Sequence, residues 1–151
     1  MKILVLENEP SSRRGGQEWC LLETCRGLAQ LGHEIHLIYT QDGDLLKSYQ
    51  EFCKSLVEVH CYILSPEQLL KSSIAWLVSL IRLLKFSPDL IYVNQYNNTV
   101  FGATLAKLKG VPLVCHLHIF PSRELSYQER LGIKSVTRYS LGEKGVICCA
   151  L

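Results

Sequence analysis

The sequence predicts a doubly wound α/β domain, a parallel sheet held between two helical layers in a single three-layer α/β/α unit. Three observations carry this. Apolar runs of strand length alternate with longer helical patterns from one end to the other, as repeated βα units do. The strand runs are continuously apolar, as burial on both sheet faces requires. A length of 151 residues builds one such core and favours one domain over two.

Lys2 to Leu6 reads as the first strand, and the Gly15-Gly16 loop feeds a helix from Gln17 to about Leu31 that stops at Gly32. Glu34 to Thr40 reads as the second strand, Asp44 to about Leu56 as a helix, and Val57 to Leu64 as the third strand. Ser65-Pro66-Glu67 then supplies an N-cap with proline at the first helical position, opening a helix that runs to about Phe86. Within it, Leu77, Ile81 and Leu84 lie at core spacing with Trp76 beside them, which predicts a packed face. Ser87-Pro88 breaks the helix. Asp89 to Asn94 forms the fourth strand, Thr99 to Lys109 a helix, and Val111 to about Leu117 the fifth strand. A helix is expected between Ser126 and Leu141, and Gly145 to Leu151 reads as the sixth strand.

Composition narrows the function classes. A hydrophobic fraction of 48% against 20% charged residues describes a folding chain. A net charge of +2 is too small to mark nucleic-acid binding, so no nucleic-acid partner is expected. Met1-Lys2 leads into a short apolar run ending at Glu7, without a secretory signature, and a cytoplasmic location is expected. The 7 cysteines are an odd count without a Cys-x-x-Cys pair and read as reduced, mostly buried thiols. The apolar stretch Leu69 to Phe86 is interrupted by Lys71, Arg82 and Lys85, so it reads as a core or interfacial helix and not a membrane span. Peripheral contact on the inner face of a membrane is the second reading of that helix.

In a doubly wound sheet, ligands bind where strands end and helices begin. The first such loop, Glu9 to Gly16, carries Arg13 and Arg14 before the paired glycines Gly15 and Gly16. Free amides and the helix dipole there favour an anion, and the glycines let it approach the backbone. The loop matches neither a Walker A motif nor a Gly-x-Gly-x-x-Gly fingerprint, which removes the support for ATPase and dinucleotide readings. After the fourth strand, Asn94, Gln95, Tyr96, Asn97 and Asn98 offer the directional hydrogen-bonding groups that suit a sugar or polyol, although such loops also simply cap helices. Cys115-His116-Leu117-His118 invites a metal, but strand alternation sets Cys115 opposite His116 and His118 and no metal site is expected. His118, where the fifth strand ends, is placed for acid/base or hydrogen-bonding work.

Several segments together resemble the opening half of retaining GT-B glycosyltransferases. They are Gly15-Gly16-Gln17-Glu18, Leu28-Ala29-Gln30-Leu31-Gly32-His33-Glu34-Ile35, Pro88-Asp89-Leu90-Ile91-Tyr92-Val93, and Val111-Pro112-Leu113-Val114 followed by His118. The resemblance implies the Rossmann-like N-terminal, acceptor-side domain of an enzyme that transfers a sugar from a nucleotide sugar without a metal or other cofactor. It implies that Gly15 and Gly16 approach the donor diphosphate or reacting sugar and that His118 sits near the transferred sugar. Where family members often end the fourth strand in histidine, this chain has Asn94.

The family's donor-binding domain, with its spaced glutamates and phosphate-binding basic residues, is expected to lie beyond Leu151. The expected function is therefore the acceptor site for transfer to a glycan or lipid-linked acceptor, inactive alone, the chain being either a truncated piece of such an enzyme or one chain of a split enzyme whose other half binds the donor. The alternative is a non-catalytic binding or scaffold module that partners a separate glycosyltransferase. A flavodoxin-like or receiver domain is disfavoured, since beyond Glu7 and Glu9 no acidic cluster follows the first strand.

Overall fold

A computed structural model describes residues 1–117 and 146–150. The helix expected between Ser126 and Leu141, and His118, lie outside those residues. The elements are β1 (Lys2–Leu6), α1 (Gly16–Gln30), β2 (Glu34–Tyr39), α2 (Leu46–Gln50), β3 (Ser55–Glu58), α3 (Leu69–Leu84), β4 (Leu90–Val93), α4 (Thr99–Lys109), β5 (Leu113–Leu117) and β6 (Val146–Ala150). Short 3₁₀ turns at Ser12–Arg14, Pro66–Gln68 and Tyr96–Asn98 precede α1, α3 and α4.

The six strands form one sheet in the order β3-β2-β1-β4-β5-β6, with every pair parallel. This is the doubly wound α/β architecture the alternation predicts. β1 sits at the switch point, with Leu4 opposite His36 on one side and Ile91 on the other.

Strand alternation splits the core into two layers. Ile3 and Val5 pack with Leu21, Leu22 and Cys25 of α1 and Tyr49 of α2. Leu4 and Leu6 pack on the other face with Leu80 and Leu83 of α3 and Phe101 of α4. Cys115 enters this second layer whereas His116 bonds Tyr92 in the first, so the two face opposite sides as the strand period requires. Gly102 brings α4 against the sheet, since a Cβ there would lie 2.5 Å from Val93 Cγ2. Gly32, at φ 85°, ends α1 as expected, its N–H donating to the Ala29 carbonyl.

The structure shifts three sequence expectations. The second helix is five residues long, and β3 runs from Ser55 to Glu58, several residues earlier than the expected strand. Every β3 side chain is half-buried or exposed, because the strand lies at the sheet edge and pairs only with β2 among the described residues, so its apolar run is short. Pro66 begins a 3₁₀ turn and the α-helix proper starts at Leu69.

The third shift concerns the packed face of α3. Leu77, Ile81 and Leu84 are 51%, 57% and 41% exposed, and the buried side is instead Ser72, Ser79, Leu80 and Leu83, with Trp76 partly covered. The helix is apolar around most of its girth, so spacing alone does not select a side. Two serines decide it. Ser79 Oγ donates to the Ala75 carbonyl at 2.9 Å and accepts the Cys61 N–H at 3.1 Å, while Ser72 Oγ accepts the Ser65 N–H at 3.1 Å. Their small, bonded hydroxyls let α3 lie close to the segment that follows β3.

Candidate functional site

The candidate site lies at the C-terminal ends of β1 and β4, where the strand order reverses, the place at which doubly wound sheets bind ligands. One wall is the loop from Glu7 to Gly16 and the other is the segment from Asn94 to Asn98.

Glu7, the first residue after β1, is fully buried. Its Oε1 accepts the Asn8 N–H at 2.8 Å and Gln95 Nε2 at 2.6 Å, and its Oε2 accepts Asn94 Nδ2 at 3.1 Å. Asn8 Nδ2 in turn donates to Gln95 Oε1 at 2.8 Å, and Gln17 Nε2 donates to the Asn94 carbonyl at 2.6 Å. The network ties the end of β1, the end of β4 and the first turn of α1 together. Burial pushes the Glu7 carboxyl up to about 7, against the opposing pull of the Asn8 and Asn94 hydrogen bonds. Glu18 is also buried; desolvation raises its pKa, Arg14 Nε lies 3.5 Å from its Oε1, and its Oε2 has no hydrogen-bond partner.

The glycine pair opens this wall. Gly15 adopts φ 117° and ψ −158°, a conformation only glycine enters readily, while a Cβ there would touch nothing within 4 Å. Conformation, and not space, therefore demands glycine at 15. Gly16 starts α1, and no side chain caps the helix, so its first amides point outward beside exposed Arg13 and Arg14. The loop is anchored from behind. Ser12 donates its N–H and Oγ–H to the Asp44 carboxylate at 2.8 and 2.5 Å, which holds the Asp44 pKa down, and Gly43 lies so close that a Cβ would sit 2.1 Å from the Pro10 carbonyl oxygen.

On the opposite wall, the side-chain amides of Asn94 and Gln95 turn inward onto Glu7. Asn98 is buried at the N-terminus of α4 with neither amide atom hydrogen-bonded, and Tyr96 and Asn97 are half-buried. Thr99 Oγ1 donates to the Gln95 carbonyl at 3.3 Å. Farther along the sheet, Tyr92 Oη lies 2.6 Å from His116 Nδ1, and burial lowers the His116 pKa. No cluster of three metal-ligating side chains forms among the described residues.

The structure thus brings Arg14, Gly15 and Gly16 to the same sheet end as Asn94 and Gln95, with Arg14 Nη2 3.5 Å from Gln95 Oε1. Glu7, Asn8, Gln17 and Glu18 were not singled out from sequence as site residues, although they form its polar floor. The available signal was a carboxylate placed directly after the apolar run Ile3 to Leu6, at the end of a strand where doubly wound folds bind ligands. Chemically, this sheet end carries both an uncapped helix N-terminus, which favours an anion, and a buried carboxyl group whose pKa is pushed up to about 7.

A family model for Glycosyltransferase Family 4 matches residues 14–149. The chain belongs to this family. The match spans the glycine pair, the Asn94–Asn98 segment, strands β2 to β5 and β6 as far as Cys149. The fold agrees with that membership, being the Rossmann-like fold of a GT-B N-terminal domain. HepE from Anabaena, solved with UDP and glucose, is similar over 91% of this chain and 36% of its own, with a TM-score of 0.68 at 23% identity. Sucrose-phosphate synthase from Thermosynechococcus elongatus is similar over 99% of this chain and 47% of its own (TM-score 0.63, 12% identity). For MurG from Acinetobacter baumannii the shares are 89% and 39% (TM-score 0.59, 12% identity). This family 4 chain therefore spans less than half the length of each of these glycosyltransferases. No curated protein matches it by sequence.

Proposed function

We propose that this chain is the acceptor-side domain of a glycosyltransferase that moves a sugar from a nucleotide-sugar donor to a glycan or lipid-linked acceptor. The observation that carries the proposal is the uncapped N-terminus of α1 at Gly15-Gly16, set at the switch point of the sheet beside the amide-rich segment Asn94–Asn98. HepE, which shares this fold, was solved with UDP-glucose, and that supports a nucleotide-sugar donor.

In this reading Gly15 and Gly16 approach the donor diphosphate or the transferred sugar, with Arg13 and Arg14 supplying positive charge. Asn94, Gln95, Tyr96, Asn97 and Asn98 shape the acceptor side, and Glu7 holds the first two in place. His118 works beside the transferred sugar as an acid/base or hydrogen-bonding group. Transfer uses no metal or other cofactor. A second domain, on a separate chain or a longer one, binds most of the nucleotide.

A radiolabelled transfer assay tests this division of labour. The 151-residue chain alone is expected to leave the nucleotide sugar untouched, and adding a donor-binding domain is expected to restore transfer. Turnover by the chain alone refutes the proposed division.

A further inference from the structure

Arg14 reaches from the glycine loop to two buried side chains. Its Nε lies 3.5 Å from Glu18 Oε1 on α1, and its Nη2 lies 3.5 Å from Gln95 Oε1 just after β4. The Gln95 amide is itself buried and engaged at both ends. Its Nε2 donates to Glu7 Oε1 at 2.6 Å, and its Oε1 accepts Asn8 Nδ2 at 2.8 Å as well as Arg14. The amide thus turns its donor to the carboxylate and its acceptor to the arginine.

Glu7 accepts from Asn8 N–H, Asn94 Nδ2 and Gln95 Nε2, and all three partners are donors. This arrangement fits an ionised carboxylate and leaves no acceptor for a proton. A protonated Glu7 therefore needs one of its two amide neighbours to turn. Asn94 is held against turning, because its Nδ2 also faces the Gln17 carbonyl at 3.5 Å and reversal would set oxygen against oxygen. Gln95 is freer, since the Asn8 side-chain amide bonds to it and can turn with it. After both turn, the Glu7 proton donates to Gln95 Oε1, Gln95 Nε2 donates to Asn8 Oδ1, and Arg14 meets a donor where it had an acceptor.

We infer that Glu7 positions Arg14 through the Gln95 amide, holding the guanidinium at the end of β4 while the carboxylate is ionised and releasing it on protonation. Glu7 is a positioning residue in this role, which rests on the reading above that Arg14 supplies charge to the donor diphosphate. Burial raises the Glu7 pKa to about 7, Glu18 on α1 adds to the rise, and Arg14 opposes it. Cys25 on α1, Tyr49 on α2 and Tyr62 after β3 also face Glu7, and burial pushes all three up, so they stay neutral. Above about pH 7 the hold on Arg14 is in place, and below it Arg14 keeps Glu18 alone.

The test is nuclear magnetic resonance of the whole chain across neutral pH, following the Glu7 carboxyl carbon, the Gln95 side-chain amide and Arg14 Nε. The three signals are expected to move with one midpoint, near 7. Glu7→Gln is expected to abolish the step at Gln95 and at Arg14. Gln95→Leu is expected to keep the Glu7 titration and abolish the step at Arg14. Burial raises the Glu18 pKa as well, so Glu18→Gln separates the two carboxyls, and the Arg14 step is expected to survive it. Circular dichroism verifies that the variants fold, and the common midpoint is read on the parent chain without any of them. Three outcomes overturn the inference: an Arg14 signal that does not follow the Glu7 midpoint, an Arg14 step that survives Glu7→Gln or Gln95→Leu, or one that Glu18→Gln removes. The readout uses neither nucleotide nor sugar transfer, so its failure leaves the acceptor-domain reading standing or falling on the transfer assay alone.

Discussion

Glu7 sets burial against hydrogen bonding within one side chain. Its three donors favour the ionised form, whereas loss of water favours the neutral form, and burial prevails because the carboxyl group is fully enclosed. Between the ordinary value of 4.5 and about 7, the folded chain keeps a proton that the unfolded chain has released. The stability this group contributes is thus complete below 4.5 and is lost as pH rises through about 7. A shift of this size corresponds to roughly 3 kcal/mol. Glu7→Gln stays neutral throughout, so its stability relative to the parent chain should rise by up to that amount between about pH 4.5 and pH 8. Urea unfolding at stepped pH reads the difference directly, and a flat difference means that burial does not control Glu7. Sequence shows the position of this residue but not its state, since a single carboxylate after a strand looks the same whether it meets water or two amides eighty-seven and eighty-eight residues away.

The elements divide by how completely each is covered. β1, β2, β4 and β5 announce themselves because strands buried on both faces are apolar along most of their length. Gly32 marks the end of α1 because the chain there needs a positive φ. β3 is harder to delimit, since an edge strand with half-buried side chains carries a weak pattern. The inner side of α3 is not legible at all: the helix is apolar on its packed and its exposed sides, and the discriminating residues are serines, which no hydrophobic periodicity selects. Two truncations separate the sides. Leu80→Ala removes a core side chain that is 6% exposed and should cost about 2–5 kcal/mol, whereas Leu77→Ala should change stability by less than about 1 kcal/mol. Equal losses in thermal unfolding contradict the assigned orientation.

At the scale of the whole molecule, the two core layers share their central strand. β1 sends Ile3 and Val5 into one layer and Leu4 and Leu6 into the other, and it pairs with β2 and β4 along both edges. Neither layer can open without exposing residues adjacent in sequence to those of the other, so the centre should unfold as one cooperative unit. The candidate site benefits, because Glu7 and Asn94 each follow directly on one of these two neighbouring strands and inherit their rigidity. β3 is differently placed: it pairs with β2 alone among the described residues, and its side chains are only half covered. Native-state amide exchange should therefore show Leu4, Val5 and Leu6 exchanging only through global unfolding. Leu56 and Val57 should exchange through local opening, with protection lower by on the order of 100-fold. Equal protection in β3 and β1 would mean that the edge is as firmly held as the centre, and that the candidate site owes its rigidity to the whole sheet and not to the β1–β4 pair.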